Sequence, residues 1–320
     1  MIEVLRNGSS VMAFFESNDF VSLEQNLNID SKLLVKDLQH LHLLRQCGRC
    51  TRCRRERTLI IHKGRYVARC KSCRNKIVSI RDGTFFGGVR LAFRSVLRLA
   101  FLWSAKVPVQ IVHNLIRYRK DVIAQYYRYF RDICSWKLLE NPQDIQVGGP
   151  GHVVQIDESV ITKRKHNKGR VVPEQWIRGI LDTTTNIGIV RYVQRRDANT
   201  LLPIIRDVVK QRSEIWTDEW RAYNTLSNLG YVHHTVCHKR ELKAADGTCT
   251  NAVEGLWALL KKHLRLLHVL QSPLLPEHID EFMWRRVYCL LPWSDNRADL
   301  QDAAYSHYGT IPLLRNQRNK

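Results

Sequence analysis

The sequence predicts an α/β protein in which a mixed sheet over residues 151–292 follows a cysteine-rich block and a run of helices. Three observations predict it. Five cysteines fall between 47 and 73. Apolar residues then recur at helical spacing up to Trp136. After the break Gly148-Gly149-Pro150-Gly151, short β-type runs alternate with amphipathic stretches.

The elements follow in order. Leu33, Leu34, Leu38, Leu41 and Leu44 give a helical lead-in over 1–46 with no chemistry of its own. Residues 58–61 and 66–68 read as short strands inside the cysteine block, 47–82. Over 83–140, Leu91, Val96, Leu97, Ala100 and Phe101 line a first helix. After Pro108, Val109, Val112, Leu115 and Ile116 line a second. Val122, Tyr126, Tyr129, Phe130 and Ile133 line a third. Only Arg119-Lys120-Asp121 separates the last two, so the segment reads as helix-turn-helix-like or as an ordinary helix pair. Beyond the glycine-rich break, residues 152–156 form a strand leading into Asp157. Residues 177–181 and 187–193 form a hairpin, and 200–210 an amphipathic helix. A strand over 215–217 ends at Asp218, another covers 231–237, and helices cover 252–267 and 277–290. Residues 293–320 are left as a tail.

Charge narrows the function class. The 320-residue chain carries 51 Lys and Arg against 30 acids, a net of +21. Residues 47–82 alone hold 12 basic and 2 acidic side chains. Such a field favours a polyanionic partner, nucleic acid or an anionic surface, and the bland alternative is a solvated face. No run of about 18 apolar residues exists, so no membrane span is expected; of the two polyanions nucleic acid is the partner expected, and no membrane. Without a secretory leader, the nine cysteines fit a reducing, intracellular setting in which spaced pairs bind metal.

Cys47-Gly-Arg-Cys50-Thr-Arg-Cys53 and Cys70-Lys-Ser-Cys73 match a four-thiolate zinc ribbon. Five cysteines compete for four places, so the first knuckle is Cys47/Cys50 or Cys50/Cys53. The alternative is a group of free thiols. A block this small buries little apolar surface, so Zn²⁺ is expected to supply much of its folding energy.

Three carboxylates carry the catalytic expectation. Asp157 follows one strand, Asp218 ends another, and Glu254 lies in the first turn of a helix. Acids placed this way can converge on a pair of divalent cations that clamp the attacking and leaving oxygens of a phosphodiester displacement. Each has an ordinary reading as a solvated or capping acid. For Glu254 that reading is specific, because Asn251-Ala-Val-Glu254 looks like an N-cap with its capping-box partner. Lys261, two turns beyond Glu254, projects from the same face toward a phosphate or is a routine surface lysine. Lys163, Arg164, Lys165, Lys168 and Arg170 follow the first aspartate strand as a phosphate-binding loop or a solvated turn.

These residues fall into a familiar pattern. Ile156-Asp157-Glu158-Ser159, the 163–170 basic run and Gln175-Trp176 resemble the opening of the catalytic domain of Merlin-type transposases and their bacterial insertion-sequence relatives. So do Thr200-Leu-Leu-Pro-Ile-Ile205, Asp218-Glu-Trp-Arg-Ala-Tyr223, Thr250-Asn-Ala-Val-Glu254-Gly-Leu-Trp257 and, upstream, residues 79–86. The similarity spans about 45–290. It departs from the family at the extra cysteine and over 238–249. The resemblance implies a ribonuclease-H-like fold with Asp157, Asp218 and Glu254 as a metal-binding DDE triad, and Mg²⁺ or Mn²⁺ as cofactor. It implies DNA as partner, namely terminal inverted repeats and a target, with homo-oligomers assembling on it. It points to nuclear residence, or cytoplasmic for a bacterial source. The rivals are a domesticated, non-catalytic DNA-binding protein and a nuclease without strand transfer.

Overall fold

The computed structural model describes residues 19–73, 77–140, 145–162, 174–236, 250–267, 269 and 274–288. The chain divides into two compact units at Trp136/Lys137.

In the first unit, two helices, α1 (Phe20–Leu27) and α2 (Ser31–His40), start at Asp19 and Asp30. Each aspartate accepts hydrogen bonds from backbone N–H groups of the first turn. The cysteine block builds a three-stranded antiparallel sheet of β1 (Thr58–His62), β2 (Arg65–Arg69) and β3 (Val78–Ser79). A 3₁₀ turn, Phe85–Gly88, then leads to α3 (Phe93–Ser104), α4 (Val109–Ile116) and α5 (Lys120–Glu140). The turn drives two aromatic rings into the helices: Phe85 stacks on Phe130 at 5.8 Å and Phe86 meets Phe93 edge-on at 5.1 Å. The lead-in is tied to this core. Arg98 forms a two-pronged ion pair with Glu24, and Arg94 donates to the Leu27 carbonyl and the Ser31 hydroxyl. Arg117 takes the left-handed conformation at the end of α4, which turns the chain within three residues into α5.

The second unit is a five-stranded mixed sheet in the order β6-β5-β4-β7-β8. Here β4 is Val153–Thr162, β5 Gln175–Asp182, β6 Ile187–Val193, β7 Glu214–Asp218 and β8 Val232–Val236. The first three form an antiparallel meander; β7 and β8 join parallel to β4. Helix α6 (Ala198–Val208) connects the two halves, and α7 (Asn251–Leu266) and α8 (Leu275–Tyr288) follow β8. The glycine-rich break is a built turn. Gly148 and Gly149 donate to Asp182 and Ser213, and a Cβ at Gly148 would lie 2.3 Å from the Ser213 hydroxyl. No described helix is long and apolar enough to cross a membrane.

Strand alternation gives the two faces of the sheet different chemistry. Gly179 and Gly188 face α7, and this is why they are glycines: a Cβ there would lie 2.6 Å from the Trp257 ring and 2.9 Å from Leu256. The two positions form a trough that lets the helix sit close to the strands. On the opposite face Glu158 pairs across the ladder with Arg178. The Glu158 side chain is fully buried, accepts from the Tyr223 hydroxyl and from Arg196 at 3.3 Å, and lies 3.7 Å from the Arg178 guanidinium. Arg178 also donates to the Leu201 carbonyl, fastening α6 to that face, and Arg196 lies over the rings of Trp176 and Trp220.

Removing the acid would leave the Arg178 charge buried without its counter-ion. Glu158→Ala is expected to cost about 3–5 kcal/mol, read as a lower urea midpoint at unchanged slope. A loss below about 1 kcal/mol, the range of exposed pairs, would show that water reaches the network.

Candidate active site and cysteine cluster

Asp157 lies in the middle of β4, where the sequence expectation ended the strand before it. Asp-Glu-Ser has weak strand propensity, but pairing overrides it: Asp157 sits opposite Gly179 and Glu158 opposite Arg178. The parallel register pairs Val153 with Glu214, Val154 with Ile215 and Gln155 with Trp216. Continued by two residues, it sets Asp157 beside Asp218 at the C-terminal end of β7. Asp218 accepts from the Trp220 amide at 3.1 Å, which fixes the turn that leaves the sheet.

Helix α7 is attached to β4 at three successive same-face residues. Gln155 Oε1 accepts from the amides of Ala252 and Val253 at 3.0 and 3.1 Å. The Trp257 indole donates to Asp157 Oδ2 at 3.0 Å, and the Lys261 ammonium donates to Ser159 Oγ at 2.8 Å. Glu254 lies in the first turn, one turn before Trp257, and is exposed. The capping-box expectation is corrected here. The N-cap is Thr250, so Glu254 falls one place beyond the box position, and the first-turn amides are capped from the sheet by Gln155.

Burial is the main reason the Asp157 carboxyl is pushed up to about 6. The Trp257 hydrogen bond opposes the rise, and the charges of Glu158 and Asp218 add to it. A largely buried acid near a second acid, with one neutral indole donor on the first, is a donor set that a divalent cation would complete. The three carboxylates stand apart rather than closing into a shell. Among the described residues, only the cysteine sulfurs gather three or more ligand atoms within 4.8 Å of one another. The Lys261 ammonium, two turns beyond Glu254 on the same helix, is engaged to Ser159. Lys163, Arg164, Lys165, Lys168 and Arg170 lie outside the described residues.

The sulfur set is Cys50, Cys53, Cys70 and Cys73, which selects Cys50/Cys53 as the first knuckle and leaves Cys47 beside Gln39. Its contacts include 3.4 Å for Cys50–Cys73 and Cys53–Cys70, and 3.6 Å for Cys73 to both Cys53 and Cys70. Four thiolates at about 2.3 Å around a tetrahedral ion would stand about 3.8 Å apart. The cluster is within a few tenths of an ångström of that. The Cys73 amide hydrogen bond holds the Cys70 thiol below its usual range, toward the ligand form.

Sequence reasoning missed Gln155 and Gly179. The signal for Gln155 was its place two residues before Asp157, on the same strand face. Gly179 carried no local signal, because its role depends on the ring of Trp257.

The family model of the ISXO2-like transposase domain matches residues 147–286. An uncharacterized transposase-like protein of Haemophilus influenzae is 30% identical over 86 residues, covering 27% of this chain and 69% of that protein. Two solved structures share a likeness. One is a simian T-cell lymphotropic virus intasome in complex with the PP2A regulatory subunit B56 gamma, with 19% identity and a TM-score of 0.33. It covers 46% of this chain, which spans about half (51%) of the intasome chain. The other is the HTLV-2 integrase catalytic core domain with magnesium, with 18% identity over 42% of this chain and 84% of that one, at a TM-score of 0.29.

Two outcomes are expected. Cys53→Ser should lose the metal that elemental analysis finds in the purified chain, whereas Cys47→Ser should retain it. Gly179→Ala should push the Trp257 ring off Asp157 and cost about 1–3 kcal/mol by overpacking. The displacement would be visible as a shifted indole N–H resonance.

Proposed function

The chain belongs to the transposases, the family of its Haemophilus influenzae relative, with residues 147–286 matching the ISXO2-like transposase domain, and from that premise we propose that it is a Merlin-type DDE transposase that cuts and joins DNA at transposon ends. The observation that supports this most is the parallel register of β4 and β7, which, continued two residues past its last pair, would bring Asp157 level with Asp218, with the helix bearing Glu254 fastened to the same strand at Gln155. The strand order, an antiparallel meander continued by two parallel strands, suits a ribonuclease-H-like core.

Asp157, Asp218 and Glu254 would hold Mg²⁺ or Mn²⁺, which when bound neutralises charge on the attacking and leaving oxygens. The chain's own contribution is placement. Trp257 orients Asp157 through one hydrogen bond to Oδ2. Gln155 fixes the helix start and hence Glu254. Lys261, steadied by Ser159, keeps further N–H donors for a phosphate oxygen. In the reaction, water attacks a phosphorus at the transposon end and the bond to the 3′-oxygen breaks, leaving a 3′-hydroxyl and a 5′-phosphate. That hydroxyl then attacks a target phosphodiester and displaces its 3′-oxygen.

Zn²⁺ in the Cys50/Cys53/Cys70/Cys73 site would fold the ribbon, and the arginines around it and along 83–140 would hold the terminal repeats. The basic run at 163–170 would contact substrate beside Asp157. Joining two ends at one target calls for a homo-oligomer on DNA. The compartment is the nucleus in a eukaryotic host and the cytoplasm in a bacterial one.

The test is cleavage and strand transfer on terminal-repeat DNA with Mg²⁺ or Mn²⁺. Asp157→Asn, Asp218→Asn and Glu254→Gln should each lose several orders of magnitude while DNA affinity persists. Their losses should not add, because the three disable one unit. Near-normal cleavage by Glu254→Gln would remove that residue from the site. A wild-type chain that binds the repeats but never cuts them would favour the domesticated binder.

A further inference from the structure

Within the first unit a cavity of about 920 Å³ lies between the ribbon sheet and the helices. It is bounded by α2, β2, the turn after β3, the end of the 3₁₀ segment and the start of α3. Its walls carry four arginines, Arg65, Arg81, Arg90 and Arg94, against one acid, Asp82. The arginines divide by task. Arg94 is committed to carbonyl and hydroxyl oxygens of the α1–α2 region. Arg81 donates to the carbonyls of Val89 and Leu91 and lies 4.2 Å over the Phe93 ring. No carboxylate is among those contacts. Burial, with Arg65 nearby, draws the Arg81 guanidinium below its ordinary value. Arg65 and Arg90 are exposed at the cleft, and Tyr66 adds a half-buried ring to the same wall.

We propose that this cleft binds the phosphodiester backbone of a short single-stranded stretch of DNA, one or two nucleotides long, apart from the carboxylate site. The inference rests on the transposase reading for its partner, and the cleft itself argues for an anion. Four guanidiniums around one cleft with a single acid in its walls leave an excess of positive charge that phosphate relieves, and Arg65 and Arg90 are the exposed guanidiniums that would donate to it. The volume lies toward the upper end of the roughly 300–1,000 Å³ common for small-ligand sites. That suits a nucleotide rather than a duplex. A single strand also offers an unstacked base to the Tyr66 ring, the pairing of basic groove and aromatic platform that such sites use.

The experiment is fluorescence anisotropy on the full chain, with a labelled single-stranded oligonucleotide and a duplex of the same sequence. The double variant Arg65→Ala/Arg90→Ala changes two exposed side chains, so the fold should stand; an unchanged thermal midpoint checks this. The variant should bind the single strand about tenfold more weakly. Its log–log salt slope should be shallower by about 1.4, two contacts at roughly 0.7 each. Duplex affinity should change far less. Equal losses on strand and duplex would overturn the single-strand assignment. Competition by inorganic phosphate as effective as that by unlabelled oligonucleotide, at equal phosphate, would make this a free-phosphate pocket and also overturn it. A variant that binds the strand like wild type would sink the cleft alone. A wild-type chain that binds no DNA would sink the transposase reading with it.

Discussion

The second unit depends on one alignment: α7 runs along β4 in the same direction and is fastened to it at Gln155, Asp157 and Ser159. The match is geometric. Same-face residues recur along a strand about every 6.6 Å, and four residues of helix advance about 6 Å, so three contacts stay in step. The trough at Gly179 and Gly188 makes the approach close enough for an indole to reach a carboxylate. Because the helix start is held from the sheet, Glu254 has a fixed height relative to Asp157. The acids therefore depend on the same contacts that pack the helix.

Much of this was legible in the sequence. The hairpin of β5 and β6, the short β7, and the helices α6, α7 and α8 follow directly from hydrophobic period and turn residues. The parts that were not legible share a cause. The outer half of β4 reads as polar because its residues are chosen by partners far along the chain: Asp157 by Trp257, Glu158 by Arg178, Ser159 by Lys261. The 3₁₀ turn at Phe85–Gly88 has no period to detect, since its rings are held by Phe130 and Phe93. The spare cysteine was undecidable because Cys47/Cys50 and Cys50/Cys53 have identical spacing. Only the fold of the strands around them separates the two.

The three acids stood out in the sequence as one after a strand, one ending a strand and one at a helix start; the first instead lies within its strand, and their relation had no signal. Capping offered Glu254 an ordinary role, but the N-cap is Thr250, one residue earlier than the box requires, and the first-turn amides are met by Gln155. A helix capped by a strand residue nearly 100 positions away has no sequence signature.

Asp157 and Glu158 are neighbours in sequence with opposite fates, and the contrast bears on what the site is for. Both are drawn into the sheet, and alternation sends them to opposite faces. Glu158 meets two guanidiniums and a tyrosine hydroxyl, so its buried charge is answered from within the chain. Asp157 receives one indole N–H and lies beside another acid. With its carboxyl pushed from the ordinary value of about 3.8 up to about 6, keeping it ionised at neutral pH costs the fold about 3 kcal/mol. A sequence selected only for stability would place an apolar residue there, or supply the cation it gives to the next residue. Basic partners are provided on one face and a neutral indole on the other, within a single strand. Stability explains Glu158 and does not explain Asp157.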